Sequence, residues 1–153
     1  MSAKRPTDVS QFDEQEHRAL AIWASDCAGH VLPYFESLYS DDDRPRQAVE
    51  AARAWARGDL AVAEARKAAF ASHGAARAAD NAAAQAAARA SGHAAATAHV
   101  ADHARHAAAY AVKAVAAGVG GDAASMERDW QVSRLPERLR PVMFPETAPV
   151  HQK

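Results

Sequence analysis

The chain has 153 residues, a net charge of −1 and a single cysteine, Cys27. That is enough for one domain with its own core, excludes an internal disulfide framework, and suits a reducing compartment. Residues 1–10 carry no apolar signal-like region, and no window approaches the roughly 18 unbroken apolar residues of a membrane span. The expectation is a cytoplasmic protein without a membrane partner.

The elements follow in chain order. Residues 1–9 read as a disordered lead. Ser10 with Asp13 makes a capping-box-like start, and Phe12, Ala19, Leu20, Trp23, Ala24, Cys27 and Val31 recur at helical spacing. Pro33 should end this first helix near Val31, with a short turn from Tyr34 to Tyr39. Asp41-Asp42-Asp43-Arg44-Pro45 is a helix start, and the second helix should run from about Pro45 to Arg57 with Gly58 just past its end. Asp59 should cap a third helix from about Leu60, ending at His73-Gly74 or later at Asp80-Asn81. A fourth helix runs from about Ala82 to Val100. Asp102 either caps a fifth or rides through it, and Gly118, Gly120 and Gly121 close that region. Asp122 should cap a last helix carrying Met126, Trp130 and Leu135, before an irregular proline-containing tail.

Alanine dominates the middle: 34 of the 67 residues from Ala51 to Ala117. It is the best helix former and the smallest side chain that keeps a helix, so it allows helix axes to approach closely. No alternating strand pattern competes. The fold class is therefore all-α, a single compact bundle of about five or six helices with alanine-mediated packing. The domain spans 10–145, followed by a flexible tail at 146–153.

Charge is unevenly spread. Residues 7–43 carry nine acids and one base, whereas residues 44–115 carry ten bases and five acids. Salt links between adjacent helices explain this simply. The sharper reading is an acidic surface, the first helix with Asp41, Asp42 and Asp43, offered to a basic partner. No basic stripe or aromatic-interleaved tract points to nucleic acid.

Three side-chain groupings carry chemistry. His99, His103 and His106 are spaced i, i+4, i+7, a weak candidate half-site for a transition metal whose completing ligands are missing from the sequence. His93 stands apart beside Gly92. Trp23, Asp26, Cys27 and His30 lie within eight residues, where Asp26 at i and His30 at i+4 can pair and orient an imidazole. Cys27 sits mid-helix on the apolar stripe, without the setting that makes a thiol nucleophilic. Arg46, Arg53 and Arg57 line one face of the second helix. No cofactor motif is present.

Four segments carry a family resemblance: Trp23 to Pro33 (WASDCAGHVLP), Asp42 to Gly58 (DDRPRQAVEAARAWARG), Gly92 to Val100 (GHAAATAHV) and Trp130 to Pro136 (WQVSRLP). Together they resemble the alanine-rich, all-helical immunity proteins of bacterial toxin–immunity systems of actinomycete type, from about His17 to Phe144. The resemblance implies a cytoplasmic protein that neutralises a cognate toxin by binding it, and supplies no catalytic residue. His93 and His99 fall inside the family-like segments; His103 and His106 fall outside. The binding candidates are thus Trp23, Asp26, His30, Asp41, Asp42, Asp43, Arg53, His93 and His99. The alternatives are a small-molecule-binding protein or enzyme with a pocket lined by Trp23, Asp26, His93, His99 and Arg53, and a helical oligomeric scaffold. A homodimer stays open.

Overall fold

The computed structural model describes residues 12–147. The expected lead at 1–9, the Ser10 cap and most of the tail lie outside them. The regular elements of the described residues are all helical, with no strand. Six helices of 13 to 18 residues are accompanied by two four-residue helical turns, one after the first long helix and one after the last, so the helical segments outnumber the expected five or six.

Helix α1 (Glu14–Val31) starts at a full capping box. The Asp13 carboxylate accepts from the Glu16 amide at 2.8 Å, and the Glu16 carboxylate accepts from the Asp13 amide at 3.1 Å. Pro33, free of any need for an N–H donor, opens the four-residue turn α2 (Pro33–Glu36). Helix α3 (Arg44–Ala56) is entered through Asp42, whose carboxylate accepts from the Arg44 amide at 3.1 Å; Asp43 occupies the cap position without capping a backbone amide, its carboxylate accepting instead from Gln47 Nε2 at 3.3 Å. Gly58 leaves the helix at φ +85°, a conformation that favours glycine.

Helix α4 (Val62–Ala78) departs from the expected start. Asp59 does not cap it, because its carboxylate is taken by Arg57 at 3.1 Å, and the helix begins at Val62. It runs through His73-Gly74 to the later of the two expected ends. Asn81 caps α5 (Ala82–Ala96) by accepting from the Ala84 amide at 3.0 Å. This helix stops at Ala96, earlier than Val100, and the chain turns through residues 97–102 before α6 (His103–Gly118). Helix α7 (Gly121–Arg134) follows Gly120, at φ +142°, with Asp122 in its first turn and not at its cap. The described residues end with a 3₁₀ turn (Glu137–Leu139), a helical turn α8 (Arg140–Met143) and a second 3₁₀ turn (Pro145–Thr147).

Helix α5 is the axle of the bundle. Ten of its 15 residues are buried, and it packs on α1, α2, α3, α4 and α6. A helix surrounded on nearly all sides needs small residues on nearly all sides, which the alanine run supplies. The bulk comes from elsewhere: Leu20, Trp23 and Val31 of α1, Phe35 of α2, and Leu135, Leu139, Met143 and Phe144 at the C-terminal end. The Trp23 ring meets Phe144 edge-on at 5.7 Å, and its indole N–H donates to the Gln131 carbonyl at 2.9 Å. No helix among the described residues is long and apolar enough to cross a membrane.

Candidate functional site

Two regions gather chemistry-bearing side chains. The first is a cleft of about 290 Å³ between α1, α3 and α7. Asp26, one turn before the end of α1, faces Arg53 of α3 at 3.5 Å and Arg134 of α7 at 3.4 Å. The Arg53 guanidinium also approaches Glu50 at 4.0 Å, and Arg46 pairs with Glu36 at 2.6 Å. His30 does not pair with Asp26. Its Nδ1 lies 2.9 Å from the buried carboxylate of Glu127, and its ring stacks on Trp130 with centroids 3.9 Å apart. Arg134 lies over the other ring system of this corner, 5.3 Å from the Trp130 centroid. A carboxylate on Nδ1 fixes the orientation of the imidazole at the cleft wall, as the partner of a general base does.

Charge in this cleft is spent internally. Each of its three arginines faces a carboxylate, and the pairs are partly exposed, so each contributes at most about 1 kcal/mol. The rest of the acidic first helix is used the same way: Glu14 pairs with Arg18, and Glu16 with Arg138. Asp42 is held by Arg44 at 2.7 Å, and that hydrogen-bonded guanidinium lowers the carboxyl below its ordinary range. Asp41 and Asp43 stay exposed, and Asp41 shares the lining of a shallow depression with an exposed Leu38.

The second region lies where α4, α5 and α6 meet. The ring of His93 is surrounded by His73 at 4.9 Å, His103 at 5.1 Å, His106 at 5.3 Å and a parallel Tyr110 at 5.3 Å. His93 Nδ1 and His103 Nδ1 are 2.9 Å apart, so one donates and the other accepts. His73 Nδ1 lies 2.9 Å from Arg89 Nη1; a guanidinium only donates, so this nitrogen accepts and His73 is neutral. Burial, then the charges of Arg89 and Arg77, pushes the His73 pKa down to about 4. Burial, then the neighbouring histidines, pushes His93 down to about 3. Alongside runs a groove of about 640 Å³, floored by alanines and bordered by Arg77, Arg89 and Lys113.

A family model described as Imm-5 like putative immunity protein matches residues 10–138. The chain belongs to this family. No curated protein and no solved structure matches it.

Within this immunity-family chain the candidates named from sequence separate. Asp26, His30 and Arg53 do share one cleft. Trp23 is a core side chain, its one polar atom bonded to the backbone. His93 belongs to the other region, so a single pocket of Trp23, Asp26, His93, His99 and Arg53 does not form. The row His99, His103, His106 is broken, because His99 lies exposed in the 97–102 turn and off α6. It joins neither His93 nor a metal set: among the described residues no group of three or more His, Cys, Asp or Glu is placed to hold a metal ion. His103 and His106, outside the family-like segments, are the ones packed on His93.

Sequence reading missed Glu127, Arg134, His73 and Arg89. Glu127 and Arg134 lie about a hundred residues from their partners, and no local spacing reports that distance. His73 carried a signal: α4 and α5 form an antiparallel hairpin through residues 79–81, which sets the end of one opposite the other.

Proposed function

We propose that this protein neutralises a cognate toxin by binding it in the cytoplasm, without chemistry of its own. The family match over residues 10–138 carries the reading. The fate of the reactive groups supports it. The Cys27 thiol is sealed, and burial and the nearby Glu127 and Asp26 push its pKa well up, away from the thiolate. Asp26 is clamped between two arginines.

The contact surface we favour is the turn of Leu38, Asp41 and Asp43. It joins an exposed apolar side chain to two carboxylates free of ion pairs among the described residues, a pairing suited to a basic toxin surface. Co-expression with the product of the adjacent reading frame tests the whole reading. Rescue of growth together with co-purification supports it, and Asp41→Asn/Asp43→Asn slows association, less so at high salt. Rescue without co-purification overturns it in favour of enzymatic detoxification. That second reading has one observation of its own, the His30–Glu127 pair opening on the Asp26–Arg53 cleft.

A further inference from the structure

Among the described residues, the cations on two sides of the fold are held in different ways. On the α1–α3–α7 side, Arg18, Arg44, Arg46, Arg53 and Arg134 each face a carboxylate. Around the α4–α5–α6 groove none of the three does. Arg89 is braced by the Nδ1 of neutral His73 at 2.9 Å, and Lys113 lies over the Tyr110 ring at 5.0 Å. Arg77 enters no ion pair among the described residues, and no acid lines the groove. A neutral brace fixes the direction of a cation without cancelling its charge. Placing three cations around one groove has an electrostatic cost unless an anion lies between them.

The floor completes the argument. Ala76 and Ala86 form an apolar surface with no side chain to fill the space above, and Ala116 and Ala117 form a wall on α6. The volume, about 640 Å³, is that of a small-molecule site, in which an apolar lining with a few placed polar groups is the rule. We propose that this groove binds a small organic anion: a phosphate, sulfonate or carboxylate carried on a ring-sized apolar body. Arg89, Arg77 and Lys113 take the anionic group, and the alanine floor takes the ring. The site is independent of the toxin-binding reading, because no residue of the Leu38–Asp43 turn contributes to it.

The test is calorimetric titration of the full chain with phenyl phosphate, with inorganic phosphate and benzyl alcohol as the two half-ligands. Phenyl phosphate should bind at least about tenfold more tightly than either, and less tightly as salt rises. Arg77→Gln/Lys113→Gln should weaken it at least about tenfold, since the loss of two charge-assisted contacts exceeds 1.4 kcal/mol. Ala117→Phe, at an exposed position, should block the groove while the circular dichroism spectrum stays unchanged; Arg66→Gln, on α4 away from the groove, should change nothing. Absence of phenyl phosphate binding at millimolar concentration overturns the proposal. So does affinity unchanged by both Arg77→Gln/Lys113→Gln and Ala117→Phe, or equal affinity for inorganic phosphate, which would leave the floor without a role. No toxin is present in the measurement, so failure here leaves the neutralisation reading standing.

Discussion

The ring of His73 rests on the backbone of Gly92: a Cβ at Gly92 would stand 2.7 Å from both Cε1 and Nε2 of that imidazole. Glycine in a helix interior ordinarily costs about 0.5–1 kcal/mol relative to alanine, so Gly→Ala usually stabilises. Here the sign should reverse. His73 cannot swing away freely, because Arg89 bonds its Nδ1 and His93 packs edge-on against it. Gly92→Ala should lower stability by about 1–3 kcal/mol, the usual range for overpacking, measured by urea denaturation. Gly29→Ala is the control: its nearest contact would be 3.4 Å, and it should be neutral or stabilising. Adding His73→Ala to Gly92→Ala should recover most of the loss. Equal effects of Gly92→Ala and Gly29→Ala would remove the contact as an explanation for the glycine.

The same histidines set an acid limit on stability. His73 and His93 titrate at about 4 and about 3 in the folded chain, below the ordinary 6.5. Arg77, Arg89, His103 and His106 face them, and none of these favours an added proton. As pH falls below 6.5 the unfolded chain takes up protons that the folded chain refuses, so stability falls with it. The contribution is whole above pH 6.5 and declines until about pH 4 for His73 and about pH 3 for His93. Each slope is on the order of 1 kcal/mol per pH unit when fully developed. Thermal melts from pH 7 to pH 4 should show the decline, and His93→Gln should flatten it. An unchanged melting temperature across this window would contradict the half-buried neutral pair.

Local rules carried the fold a long way. Pro33, the Arg44-Pro45 start, Gly58 and Asn81 all mark boundaries that backbone sterics and capping decide within a few residues. Asp59 misled because a carboxylate has more than one suitor, and Arg57 two residues away holds it. Sites were less legible for the same reason at longer range. Asp26 and His30 share a helix face, yet His30 turns to Glu127 on α7, where a buried carboxylate needs it more. In alanine-rich helices the spacing that reveals a packed face is weak, since nearly every face is small. The encounter of α4, α5 and α6 that assembles the histidines therefore leaves almost no trace in the pattern.

The His30–Glu127 pair is asymmetric, and that gives it a measurable signature. Glu127 is 7% exposed, whereas His30 is open to solvent on one side. Removing His30 leaves a carboxylate buried without its partner; removing both leaves none. His30→Ala should cost about 1–2 kcal/mol, below the usual figure for a fully buried pair because water reaches His30. In a double-mutant cycle with Glu127→Gln the coupling should exceed about 0.5 kcal/mol. Additive losses would mean that the stack on Trp130 holds His30, and that the carboxylate does not.

Cys27 separates a packed thiol from a reactive one. Its side chain is fully buried on the core face of α1, and burial, with Glu127 and Asp26 near it, raises the pKa well above the ordinary thiol value. The thiolate is the reactive form, so two barriers act together: the reagent has no access, and the ionised fraction is small. Ellman's reagent should find no thiol in the native protein at pH 8 and one per chain in denaturant. Under native conditions the slow reaction should follow the rate or equilibrium of opening, and Gly92→Ala, by destabilising the fold, should accelerate it. Substitution adds a second check. Cys27→Ala loses packing alone, whereas Cys27→Ser places a hydroxyl in an apolar site and should be worse by about 1 kcal/mol. Rapid labelling of the native chain would place Cys27 at a solvent-reachable surface and contradict its burial in the core.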